Sequence, residues 1–290
     1  MTARFAARLF AWLVVAAAFL AVAGGATAQS GSSSVYTHQR GMDETFRLNL
    51  GGLYPNFDTT VQYGTVTVPG TEIGLESDLG LAEKKFALQI DGYLRLGRHA
   101  RLDFAYQQWN RSAAKILSRQ IQFNGATYSV GGEVDSTLNV NVGELYYGYS
   151  FVNNGDLEIG LGLGASVFFN RASLDAVGTV VGPGGTVGGT AVSERKDFIA
   201  PIPALEGYFT FTLLPQLFLS ARARGFKATI SGSSGSMLEA TGTLDLFITS
   251  GLGIGGGYNY TRIDYTRDSD TLTQVRYHYS GPVFYVALAF

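Results

Sequence analysis

The end of the chain constrains it most. From Gly281 to Phe290 the residues Phe284, Val286, Leu288 and Phe290 share one parity, so an extended strand puts them on a single face. Tyr285, Ala287 and Ala289 take the other face. An ordinary soluble sandwich strand is the competing reading, but it would leave bulky apolar groups at a terminus that normally frays into water. A closed barrel in hydrocarbon needs this pattern, because its last strand must seal against the first and show lipid an apolar side.

The other end reads as an address. Arg4 and Arg8 precede an uncharged apolar run from Leu9 to Ala23, and Ala26-Thr27-Ala28 offers small residues for cleavage before Gln29. The run is short for a membrane-spanning helix, which needs about 20 residues. A retained N-terminal anchor is the alternative. Residues 1–28 are thus expected to be a signal peptide, 29–43 a flexible periplasmic lead-in and 44–290 the folded unit. There is no cysteine, which excludes an N-terminal lipid anchor on Cys, disulfides and thiolate metal sites. The net charge of −2 becomes slightly more negative when the two leader arginines go, which argues against a nucleic-acid partner.

Beyond the leader no apolar run approaches helical spanning length, so any crossing is made by strands. Alternation predicts ten, over about 45–54, 84–96, 101–109, 138–152, 157–169, 204–213, 217–229, 238–248, 252–265 and 273–290. The clearest sets Phe86, Leu88, Ile90, Leu94 and Leu96 against Lys85, Gln89, Asp91, Tyr93 and Arg95. Eight strands remain an alternative if the seventh and eighth do not span. A bulge is expected near Gly143, and Asn124-Gly125 signals a hairpin in the polar stretch 113–137. Nine residues of the third strand at about 3.3 Å, tilted near 40°, climb roughly 23 Å, which places Trp109 at an interfacial aromatic girdle. In the fifth strand, Gly160, Gly162 and Gly164 form an inner row that leaves room for long neighbouring side chains or a narrow passage. Connections alternate short and long, the longest being 171–202. That asymmetry predicts an all-β, transmembrane, antiparallel up-and-down β-barrel with short periplasmic turns and both termini in the periplasm. A soluble up-and-down barrel would reverse the faces.

The terminal strand, ending in Phe290 after alternating apolar residues, resembles that of the small outer-membrane β-barrel proteins of Gram-negative bacteria, the OmpA/OmpW-like group. The resemblance implies residence in the outer membrane, contact with its lipid and lipopolysaccharide, and insertion by the barrel-assembly machinery through the last strand. It implies a non-enzymatic structural or surface role. The alternative within the same class is a narrow, porin-like channel for small or hydrophobic solutes.

If the apolar parity faces lipid, the other lines the lumen with Lys85, Asp91, Arg95, Arg101, Asp103, Glu144, Glu158, Glu206, Arg222, Arg224, Glu239 and Asp245. Ten strands make a tube roughly 20 Å across. Charges of both signs in so small a space are expected to pair, because a buried unpaired charge is strongly disfavoured.

Three chemistries bear on catalysis and metals. Omptin-type protease barrels use paired Asp and an Asp-His couple at the extracellular rim; of His38, His99 and His278, only His278 falls on a predicted spanning strand. His278-Tyr279-Ser280 resembles the His-x-Ser pair of lipid A deacylase barrels, and period two puts His278 and Ser280 on one face. No acid follows Ser280 to orient the imidazole, and the pair has the lipid-side parity unless Gly281-Pro282 introduces a bulge. Asp264, Asp268 and Asp270, with Glu194, form a candidate site for Ca²⁺ or for bridging lipopolysaccharide phosphates, against the plainer reading of solvated loop acids. No cofactor is expected, and no GxxxxGK[ST] phosphate loop occurs.

Overall fold

The computed structural model describes residues 44–65, 70–123, 126–177, 180–182, 185–187, 192–230, 233–268 and 271–290. The expected leader and lead-in lie outside the described residues. In chain order the strands are β1 (Phe46–Leu53), β2 (Asn56–Thr65), β3 (Glu72–Gly74), β4 (Ala87–Arg95), β5 (Ala100–Ile116), β6 (Ile121–Phe123), β7 (Ala126–Tyr128) and β8 (Glu133–Asn153). They continue as β9 (Leu157–Val177), β10 (Val180–Gly182), β11 (Gly185–Val187), β12 (Val192–Leu214), β13 (Leu217–Ile230), β14 (Ser233–Phe247), β15 (Leu252–Asp268) and β16 (Thr271–Ala289).

The wall runs β1-β4-β5-β8-β9-β12-β13-β14-β15-β16, all antiparallel, and closes through β1–β16 with Leu48 opposite Leu288 and Leu50 opposite Val286. It is a closed barrel of ten strands. β2 continues the line of β1 after Tyr54-Pro55 and pairs with the upper part of β16, from Ser280↔Asn56 to Thr271↔Thr65. β13 and β14 pair along their full length, so they belong to the wall and the eight-stranded alternative falls.

Short turns and both described chain ends share one rim. Thr45 N donates to Phe290 O at 2.7 Å and Arg95 N to Thr45 O at 2.7 Å. At the other rim the strands overrun the predicted spans. Much of the expected 171–202 connection is β9 and β12 paired with each other, from Phe169↔Ile199 to Ala176↔Val192. The hairpin around Asn124-Gly125 is present as β6 and β7, with Phe123 opposite Ala126; residues 124 and 125 themselves lie outside the described set. β6, β7, β10 and β11 form a separate four-stranded sheet.

Two irregularities occur along the described wall, at Ser150/Val152 and Thr212/Leu214, each beside a short turn. Gly143 keeps regular register on both sides, opposite Tyr106 and Val167, so no bulge forms there.

The burial pattern is inverted relative to a soluble protein. Leu205 is 68 % exposed on the outer face, whereas Arg224 and Glu206 are each 1 % exposed inside. An apolar belt built also from Leu161, Leu163, Leu244, Ile254 and Phe284 far exceeds the patches that soluble monomers show to water. Hydrocarbon is the solvent that fits it, and the soluble reversed barrel is excluded. Trp109 is not in a girdle. It is 2 % exposed and points inward, because the period of two continues unbroken through Arg101, Asp103, Gln107, Trp109 and Arg111.

Candidate functional site

The inward faces bring the polar residues together in rows. Nearest the short-turn rim, Arg95 holds Glu158 through two hydrogen bonds, Nη1 to Oε1 at 2.9 Å and Nη2 to Oε2 at 2.7 Å. Arg101 bonds Asp103 at 2.9 Å and lies 3.4 Å from the centroid of the Tyr208 ring. That ring occupies the space left by Gly160, where a Cβ would come within 2.1 Å of it. The glycine row therefore accommodates neighbours: Gly162 faces Glu206 and Gly164 faces Tyr146.

In the next row Arg47 Nη2 meets Asp245 Oδ1 at 2.6 Å, and Tyr285 donates to the same oxygen at 2.6 Å. Asn49 links Arg47 to Asp91, which also accepts from Gln89 at 2.8 Å. Above them Arg224 gathers three carboxylates from across the barrel: Glu206 at 2.7 Å, Glu144 in a shorter contact, and Glu239 at 3.4 Å. Tyr146 lies beneath the guanidinium, 4.1 Å from ring centroid to Cζ.

An aromatic layer follows. Phe57, Trp109, Tyr277 and Tyr279 pack with centroid separations of 5.4–6.2 Å, and Trp109 Nε1 donates to Tyr277 Oη at 2.5 Å. Arg111 sits 4.2 Å over the Phe57 ring, bonds Thr59 Oγ1 at 3.1 Å and pairs with Glu76. The segment after β3 closes over this layer, its Leu79 buried in one cluster with Ile73, Leu117 and Ile121. Outside the membrane, Arg119 hydrogen-bonds Asp78 at 2.7 Å and holds that carboxyl below the usual carboxylate range.

Of the expected lumen residues, Asp91, Arg101, Asp103, Glu144, Glu158, Glu206, Arg224, Glu239 and Asp245 are buried inside, Arg95 and Arg222 partly so. Lys85 is corrected: it precedes β4 and is exposed, since pairing with β5 begins only at Leu88↔Gln108. The sequence reading missed Arg47, Asn49, Arg111 and Glu76. Arg47 alternates with Phe46 and Leu48, so parity could have found it. Glu76 lies in a turn and carries no such signal.

His278 and Ser280 project from the outer face, half-buried, while Tyr277 and Tyr279 project inward. Register is continuous through Asn259↔Gly281 and Tyr258↔Pro282, so Gly281-Pro282 makes no bulge. Asp264 supplies the acid that the chain after Ser280 lacks: its Oδ1 lies 3.2 Å from His278 Nε2. Its other oxygen accepts from Arg262 at 2.7 Å. Ser280 Oγ accepts from Tyr258 at 3.1 Å. Among the described residues no group of three His, Cys, Asp or Glu is placed to hold a metal. Asp270 and the side chains of Asp268 and Glu194 lie outside the described residues, so of that expected cluster only Asp264 is placed. His99 sits at a short turn with Nδ1 2.8 Å from Ser150 O, and His38 lies outside the described residues.

No family profile and no curated protein matches the sequence. Solved structures do match. The outer-membrane protease OmpT from Escherichia coli aligns with 9 % identity over 89 % of this chain and all of its own, at a TM-score of 0.52. The outer-membrane protein OprG from Pseudomonas aeruginosa aligns with 8 % identity over 88 % of this chain and 99 % of its own, at a TM-score of 0.42. At such identities the likeness is one of fold. The fold is that of the small outer-membrane β-barrels, and neither the fold nor the interior singles out one member among them.

Proposed function

We propose that the protein resides in the outer membrane of a Gram-negative bacterium, with the short-turn rim in the periplasm, and serves a non-enzymatic structural or surface role behind a closed lumen. The carrying observation is the stack of cross-barrel contacts. Arg224 binds carboxylates from β8, β12 and β14 at once, and the Phe57/Trp109/Tyr277/Tyr279 layer lies over it. A hydrated path would have to break buried ion pairs, at several kcal/mol for each charge left uncompensated, or unstack this layer. The wall itself contacts membrane lipid and lipopolysaccharide. Planar-bilayer recording tests the reading: the mature protein should be silent in potassium chloride. A steady single-channel conductance would replace this reading with the narrow channel.

The Asp264–His278 contact favours one second reading, hydrolysis of an outer-membrane lipid. Ser280 would be the nucleophile, His278 the base and Asp264 the group that orients the imidazole. The hydroxyl is turned to Tyr258 and would have to leave it. Lipid A from cells making wild type and Ser280→Ala, compared by mass spectrometry, decides the matter; identical acyl chains remove it.

A further inference from the structure

Five of the inward arginines, Arg47, Arg95, Arg101, Arg111 and Arg224, have a carboxylate within 4.0 Å. Arg222 on β13 has none among the described residues, and its Nε is buried without an acceptor. It borders a cavity of about 80 Å³ in the short-turn half of the barrel. Around it stand Tyr208, Thr210, Ser220, Thr241 and Thr243, all able to donate or accept a hydrogen bond. The carboxylates on the same cavity are already engaged: Asp245 by Arg47 and Tyr285, Asp103 by Arg101, Asp91 by Asn49 and Gln89.

We propose that this cavity binds a small monocarboxylate, with Arg222 as its anchor. A guanidinium presents parallel N–H donors that match the two oxygens of a carboxylate. The hydroxyl ring can satisfy any further oxygen of the ligand. Size limits the class. One water needs roughly 10–15 Å³ of such space, so the cavity takes a molecule of a few heavy atoms, not a nucleotide or an acyl chain. Charge limits it further. Arg222 stands opposite Tyr208 and Thr241, and two residues along β13 the Arg224 cluster concentrates Glu144, Glu206 and Glu239. That carboxylate excess repels a di- or trianion far more than a single negative charge.

The site does not depend on whether the lumen conducts. Sodium acetate is the probe, titrated calorimetrically into the full mature protein in detergent against sodium chloride at equal ionic strength. Saturable acetate-specific heat is expected, at least tenfold weaker in Arg222→Gln and partly retained in Arg222→Lys. Heat-modifiable gel migration checks that each variant is folded. Should Arg222→Gln not fold, Thr241→Leu fills the cavity while keeping Arg222, and the same tenfold loss is expected. No saturable heat in wild type, or equal affinity in the variants, overturns the site. A conducting barrel that binds acetate would sink the closed-lumen reading alone; a silent one that ignores acetate would sink this one alone.

Discussion

Arg111 on β5 and Glu76, in the turn after β3, form an ion pair above the aromatic layer, with the Arg111 side chain fully buried and Glu76 9 % exposed. The other Glu76 oxygen accepts from Thr59 N at 2.8 Å. A turn residue thereby ties the covering segment to β2 and to β5 of the wall. Removing one partner of a buried pair leaves the other charge uncompensated, at a cost of about 3–5 kcal/mol. Arg111→Ala should therefore expose the 75–83 segment to proteolysis on the intact barrel. Unchanged cleavage kinetics would deny the tie.

Among the described residues Arg224 is the cation within 4.0 Å of all three carboxylates, so its loss should be felt more than the loss of any one acid. Arg224→Met is expected to lower stability by about 3–5 kcal/mol, whereas Glu239→Gln, whose contact is the longest of the three at 3.4 Å, should cost far less. Urea unfolding in lipid vesicles measures both. Equal losses would show that the cluster is not centred on Arg224.

Tyr208 and Gly160 share one space. Gly160→Val forces the ring away from Arg101 and should destabilise by about 1–3 kcal/mol, as overpacking does. Combining it with Tyr208→Ala should recover part of that cost. Additive losses in the double-mutant cycle would contradict the packing.

The chain has two tryptophans, of which Trp12 falls in the expected leader and Trp109 inside the barrel. Fluorescence of the mature protein should resist quenching by brominated lipid chains. A control that carries tryptophan in place of Tyr258, with Trp109→Phe, should be quenched strongly. Strong quenching of wild type would return Trp109 to the lipid face.

Asp78 has a carboxyl held below its ordinary value by Arg119. A depressed acid contributes stability above its unfolded value, about 3.9, and that contribution is lost as pH falls through the folded value. Amide protection in 70–83, taken relative to the intrinsic exchange rate at each pH, should therefore be flat near neutrality and fall only in strong acid. The partly exposed pair should weaken with salt, and Asp78→Asn should abolish the acid arm. A loss of protection centred near neutral pH would point to another group.

Strands and faces were legible because a period of two is local: Phe284, Val286 and Leu288 announce their side without knowledge of any partner. The same rule contained Trp109, but placing it by the height that nine tilted residues climb set parity aside for a distance along the strand. The interior rows needed more than parity. That Arg224 meets Glu144 depends on where β8 and β13 stand around the ring, 80 residues apart in sequence. Asp264 reaches His278 because β15 and β16 pair with Arg262 opposite His278 and Asp264 opposite Arg276, a register no single strand encodes. Glu76 was illegible for a different reason: its position comes from a turn folding back over the mouth.

The interruption at Tyr54-Pro55 has a mechanical consequence. Pro55 has no N–H to give, Tyr54 N reaches Pro282 O at 2.9 Å, and β16 changes partner from β1 to β2 beside Gly281. The hoop is thus fastened along two separate lengths of its final ribbon, with a joint between them. A fault in the β2-paired length can fray without unzipping the β1-paired one, so damage at the long-loop rim need not open the closed wall.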